Sequence, residues 1–77
     1  MNKIVIRLNI LKENKQIEVI FDERLSFIDN LHLLKEIYHL TNIEDIRIWD
    51  NDKKLFLKRD IPLTDFHFPQ FIRLYLL

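Results

Sequence analysis

The chain has 77 residues, 48% of them apolar and 31% charged, with 12 lysines and arginines balanced by 12 aspartates and glutamates. That is room for one domain, residues 1–77, burying roughly 60–65% of its extended surface. A net charge of zero lacks the basic surplus that nucleic acid or an anionic membrane selects. Cysteine and glycine are both absent, which excludes disulfides, thiolate metal sites, cysteine nucleophiles and every glycine-dependent phosphate loop or nucleophile elbow.

Ile4, Ile6 and Leu8 alternate with Val5, Arg7 and Asn9, the two-residue period of a strand with two different faces. Lys12-Glu13-Asn14-Lys15 breaks the run. Asn14 is the candidate for a left-handed backbone, since no glycine is there to take it. Alternation resumes at Ile17, Val19 and Phe21, so the first two strands form a hairpin. The N-terminal run MNKIVIRLNI goes straight into this alternation and does not read as a leader. No apolar run reaches the roughly 18–20 residues of a membrane span. A soluble, cytoplasmic chain without a membrane partner is expected.

Ser26 is placed to cap a helix by accepting from the N–H of Asp29 or Ile28. Phe27, Leu31, Leu34 and Tyr38 then recur at helical spacing, one stripe of a helix of about 13 residues ending at Thr41-Asn42. Period two returns at Ile46 and Ile48, with Arg47 and Trp49 between them. Asp50-Asn51-Asp52 reads as a turn, Leu55-Phe56-Leu57 as a short strand, Lys58 to Pro62 as a loop and Leu63-Thr64-Asp65-Phe66 as a helical turn. The last strand carries Ile72, Leu74 and Leu76 on one face and Arg73, Tyr75 and Leu77 on the other. The order is β-β-α-β-β-β. One helix on one face of a mixed four- to five-stranded sheet is the α+β solution at this size, with the first and last strands central and parallel. Leu74, Leu76, Ile6, Val19, Leu31 and Leu34 are expected to be fully buried.

This order, with Leu63-Thr64-Asp65-Phe66-His67-Phe68 followed by Leu74-Tyr75-Leu76, resembles the ubiquitin-like β-grasp superfamily. Ubiquitin-like chains carry Leu-x-Asp-Tyr-x-Ile and then Leu-x-Leu at the same apolar offsets. Within that superfamily, Phe27-Ile28-Asp29-Asn30-Leu31 at the start of the helix and the closing Leu76-Leu77 resemble the bacterial YukD-like proteins of type VII secretion systems. Two positions depart from the pattern. Phe66 stands where the family tyrosine's hydroxyl ties down the preceding loop, so Lys58–Pro62 is expected to be looser. Gln70 stands where a Gly-Asp turn is common. The resemblance also implies a Gly-Gly tail in conjugating members, and Leu77 inside a predicted strand argues against conjugation or sulfur carriage.

The remaining chemistry is sparse. Asp29, His32, Glu36 and His39 share a helical stripe, but a metal site of this type draws on two helices. A solvated face is expected there, with no metal and no cofactor, and His67 is read as a surface residue. The hydroxyls are Ser26, Thr41, Thr64 and two tyrosines, none with a base and an orienting group beside it, so no enzyme is expected. If Ile4, Ile6, Ile17, Val19, Ile46, Ile48, Leu74 and Leu76 face the helix, the opposite parity turns Val5, Arg7, Glu18, Ile20, Arg47, Trp49, Arg73, Tyr75 and Leu77 outward. Aromatics and arginines in one sheet face have the composition of an interface. The residues assigned to a protein partner are Val5, Arg7, Ile20, Arg47, Trp49, Arg73, Tyr75 and Leu77, with a weak homodimer as another use of the face. The expected function is a non-conjugating ubiquitin-like interaction module, an accessory or regulatory component of a type VII secretion system. Two alternatives stand beside it. One is a structural or regulatory β-grasp protein of a phage or toxin–antitoxin system. The other is a weak single-strand nucleic-acid binder that stacks bases among the arginines, which the charge balance disfavours.

Overall fold

The computed structural model describes residues 3–77; Met1 and Asn2, the start of the N-terminal run, lie outside them. Strand β1 (Lys3–Ile10) buries every second residue, and β2 (Lys15–Asp22) pairs antiparallel with it from Lys3 opposite Asp22 to Ile10 opposite Lys15. The connection is a short 3-10 turn, Leu11–Glu13, closed by Asn14 at φ 50°, the left-handed residue expected there. Four other non-glycine residues take the same conformation: His39, Asn42, Lys54 and His67. His39, Lys54 and His67 close a helical turn or a hairpin where most chains would place glycine, and Asn42 opens the 3-10 turn at Ile43–Asp45.

Helix α1 (Phe27–Tyr38) starts as expected, with Ser26 Oγ accepting from Asp29 N–H at 3.1 Å. It stops four residues before Asn42, because His39 turns left-handed (φ 55°) and Leu40 N–H donates back to Lys35 O at 2.9 Å. Lys15 Nζ donates to Tyr38 O at 3.0 Å, a cation at the negative end of the helix dipole. Phe27 and Leu31 are fully buried on the sheet. Leu34 is not, contrary to expectation. It lies toward the β2 edge and lines an open groove with Ile20 and Phe21, so sheet covers it on one side only.

After α1, a 3-10 turn at Ile43–Asp45 leads into β3 (Ile48–Asp50), shorter and later than the alternation from Ile46 implies. Strand β4 (Leu55–Leu57) follows as a hairpin. Asp50 belongs to the strand rather than the turn, and its buried Oδ1 accepts from the N–H groups of Asp52 and Lys53 at 3.0 and 3.3 Å. A further 3-10 turn at Leu63–Phe66 precedes β5 (Phe71–Leu76). The sheet has five strands in the order β2-β1-β5-β3-β4, with β5 parallel to β1 and antiparallel to β3. Ile6 lies opposite Ile72, Leu8 opposite Leu74 and Ile10 opposite Leu76. Those pairs, with Phe21, Phe27, Leu31, Ile48 and Leu63, are the core between sheet and helix. The two central strands are therefore the first and last in sequence, as expected.

The segment 58–62 is tied down without a tyrosine hydroxyl, which corrects the expectation of a loose loop. Ile28 N–H donates to Arg59 O, and Leu63 N–H to Leu25 O. The Arg59 guanidinium donates to the carbonyls of Glu44 and Ile46. Phe66 stacks on Phe68 instead, with centroids 5.1 Å apart.

At the end of β2, Arg24 encloses the Asp22 carboxylate: Nη2 donates to Oδ2 at 2.8 Å, Nε to Oδ1 at 3.1 Å and the backbone N–H to Oδ1 at 2.9 Å. These bonds, the side-chain pair foremost, pull the carboxyl from its ordinary 3.8 down to about 2. The folded value lies below the unfolded one. What the pair contributes to stability is therefore present above about pH 4 and lost as pH falls through about 2. An NMR titration of the Asp22 carboxyl carbon is expected to give a midpoint of about 2, and Arg24→Ala should return it toward the ordinary value. An unchanged midpoint in that variant would mean the pair does not set it.

Candidate functional site

Parity across the sheet is as expected. Ile4, Ile6, Val19, Ile48, Leu74 and Leu76 are buried and Ile17 and Ile46 half-buried on the helix side. Val5, Arg7, Ile20, Arg47, Trp49, Arg73, Tyr75 and Leu77 all lie on the other face, exposed or half-buried.

Register sorts these eight residues into two groups with an arginine pair between them. Trp49 lies directly opposite Tyr75 and also opposite Phe56 of β4, with indole and phenyl rings edge to face at 4.9 Å. Arg47 and Leu77 exchange backbone hydrogen bonds at 3.3 and 2.9 Å, which carries the β3–β5 ladder past the strand ends. This first group is a ridge of Tyr75, Trp49 and Phe56 flanked by Arg47 and Leu77. In the second, Val5 lies opposite both Ile20 and Phe71. Val5 is four residues from Asn9, which faces Tyr75, so the groups stand about 13 Å apart along the strands. Between them Arg7 and Arg73 face one another across β1 and β5.

Phe56 and Phe71 are the members that sequence reading missed. Both follow from parity: Leu57 is buried, which turns Phe56 out, and Ile72 buried turns Phe71 out. They also receive the arginines. Arg47 sits over the Phe56 ring at 5.3 Å and Arg7 over Phe71 at 5.5 Å, so neither guanidinium stacks on the indole. The indole N–H instead donates to Asn51 Oδ1 at 3.3 Å, the same oxygen that Lys54 Nζ donates to at 3.2 Å.

Electrostatically the face is one-sided. Glu18 pairs with Arg7 at 3.2 Å, and Asp22 with Arg24. Among the described residues, Arg47 and Arg73 have no carboxylate within ion-pair distance. The chain as a whole is neutral, so its compensating acids lie elsewhere, several on the helix side. There His32 Nε2 meets Glu44 Oε1 at 2.8 Å, and Asp29, Glu36 and His39 remain exposed. Among the described residues no three His, Asp or Glu side chains converge as metal ligands, and no helix is long and apolar enough to cross a membrane.

The architecture matches solved structures across essentially the whole chain. A ubiquitin-based de novo design aligns over 99% of this chain and 88% of its own, with TM-score 0.75 and 17% identity. The fold is the ubiquitin-like β-grasp. A ubiquitin-like domain of an Arabidopsis thaliana protein aligns over 100% and 78%, with TM-score 0.72 and 18% identity. A structure concerned with molecular mimicry of SUMO that promotes DNA repair aligns over 100% and 92%, with TM-score 0.81 and 10% identity. No family model matches the sequence, and no curated protein matches it.

Proposed function

We propose that this ubiquitin-like module works by binding protein through the outer sheet face, without itself being conjugated. The observation that carries the reading is the Tyr75–Trp49–Phe56 ridge, three aromatic rings in one row across β5, β3 and β4. Aromatic side chains offer large contact areas at low conformational cost, and arginines beside them add directional donors. Leu77 is paired with Arg47, so residues 71–77 are engaged in the sheet. The finer context, a cytoplasmic accessory or regulatory component of a bacterial type VII secretion system, rests on Phe27-Ile28-Asp29-Asn30-Leu31 and Leu76-Leu77.

Photocrosslinking in the source cell tests this. A benzophenone amino acid at Tyr75 is expected to capture one discrete protein, and the same probe at Glu36 on the helix is not. Trp49→Ser with Tyr75→Ser is expected to weaken that capture more than about tenfold. Far-UV circular dichroism should stay unchanged, since neither ring fills the core. A captured secretion-apparatus component supports the finer reading. Identical capture from Tyr75 and Glu36 would sink the assignment of the face.

A further inference from the structure

The row of aromatic rings ends at a sheet edge. Strand β4 is the last in the order β2-β1-β5-β3-β4, so one side of its backbone presents unpaired N–H and C=O groups. The edge is short and flanked by lysines, but the strand's own side chains are apolar. Leu55 and Phe56 are 43% and 50% exposed. On the outer face Phe56 is flanked by two cations. Lys54 shares Asn51 Oδ1 with the Trp49 indole, which places it on that face. Lys58, two residues after Phe56, lines an open groove of about 720 Å³ whose charged members are the cations Arg47, Lys58 and Arg59 and the acids Asp45 and Asp60. Among the described residues, Lys54, Lys58 and Arg47 have no carboxylate partner. The outer face of this edge therefore presents Phe56 between two cations, Lys54 in the left-handed turn before the strand and Lys58 just after it.

We propose that β4 is a docking edge that takes an extended acidic–apolar–acidic segment of a partner protein as a sixth strand. Strand addition satisfies the open backbone groups, and alternate side chains set the specificity. An incoming strand places its side chains directly opposite those of β4. An apolar residue then faces Phe56, and the acids on either side of it come within reach of Lys54 and Lys58, the long side chains that flank the strand. On the other side of the new strand, apolar residues cover Leu55 and the rim of Leu57. A second copy of this chain does not fit. Antiparallel self-pairing about Phe56 sets Lys54 against Lys58 twice, and like charges directly opposite are unfavourable. The site shares Phe56 with the Trp49–Tyr75 ridge but holds its occupant along the β4 backbone, so it stands whether or not that ridge has a partner.

The probe is the blocked peptide Ser-Glu-Val-Ile-Val-Glu-Ser, whose symmetry presents the same pattern in either direction. Titrated into the ¹⁵N-labelled protein, it is expected to shift the amides of residues 54–58 and to slow their hydrogen exchange. Lys54→Glu with Lys58→Glu is expected to weaken binding at least about tenfold while leaving the amide spectrum of β1, β2 and β5 in place. The same peptide with lysine for both glutamates should bind that variant and not the parent. Tyr75→Ser should bind the acidic peptide as the parent does, which separates this edge from the face. Three results would overturn the proposal. They are no shifts at millimolar peptide, shifts centred on Ile20 and Leu33 at the β2 edge, and equal affinity in the charge-reversed variant.

Discussion

Replacing Leu74 by alanine is expected to cost on the order of 2–5 kcal/mol. Leu74 is fully buried in β5, the strand paired on both sides, and lies opposite the equally buried Leu8 of β1. A truncation there opens a cavity walled by two strands and the helix, which cannot collapse without disturbing the central parallel ladder. At roughly 0.05–0.15 kcal/mol per residue, a chain of this length has a total stability of about 4–12 kcal/mol. The change is then a large share of the whole. Each kcal/mol moves the midpoint of so small a domain by about 4–8 °C, so the melt should fall by at least about 10 °C. Leu33→Ala is the control. Leu33 is 66% exposed on the helix, and its loss should stay within about 0.5 kcal/mol. Equal midpoints for Leu74→Ala and the parent would mean that the inward face of β5 has been assigned wrongly.

The face of each strand was legible because hydrophobic alternation has period two, and a shift of one residue would expose the whole set. Ile4, Ile6 and Leu8 carry that signal for β1, and Ile72, Leu74 and Leu76 for β5. Their length and apolarity also place them at the centre. Chain reversals were harder to read. Glycine ordinarily marks positive φ, and here His39, Lys54 and His67 take it. Histidine signals the left-handed region far more weakly than glycine and lysine hardly at all, so α1 reads one or two residues too long. The anchor of segment 58–62 was equally hidden. Arg59 reaches two backbone carbonyls more than ten residues earlier in the chain, and no local pattern encodes so long a reach.

Of the candidate face, orientation was legible and adjacency was not. Parity alone turns Trp49 and Tyr75 outward. Which residues then become neighbours depends on register between strands far apart in sequence. Phe56 is the clearest example: β4 is only three residues long, too short to establish a period by itself. Once Leu57 is known to be buried, Phe56 becomes the ring that meets Trp49 and receives Arg47. Register likewise separates Val5 and Ile20 from the ridge, although they share its face.

Asn30→Leu is expected to be nearly as damaging as the loss of Leu74, although it adds apolar volume to a buried site. Asn30 is almost inaccessible, and its amide is fully engaged. Oδ1 accepts from Asp22 N–H at 2.9 Å, and Nδ2 donates to Asp22 O at 3.0 Å and to Ser26 O at 2.9 Å. The side chain thus acts as one more rung beside the end of β2, while its own N–H makes the first helical bond to Ser26 O. Leucine strands the Asp22 N–H and takes one of two hydrogen bonds from each of two carbonyls, Asp22 O keeping Leu25 N–H and Ser26 O keeping the N–H of residue 30. An unsatisfied buried donor costs about 1–3 kcal/mol and an ordinary lost hydrogen bond about 0.5–1.5 kcal/mol, so a loss of about 2–4 kcal/mol is expected in chemical denaturation. Asn30→Asp separates bonding from packing. The carboxylate keeps the shape and can still accept from Asp22 N–H, but it faces two carbonyl oxygens with nothing to donate. Protonation restores one donor. The folded acid is therefore favoured in its neutral form, its pKa lies above the unfolded value, and the variant's deficit should grow as pH rises from about 3 to about 7. A deficit for Asn30→Asp independent of pH, together with a stable Asn30→Leu, would show that the amide bracket does not hold β2 to the helix.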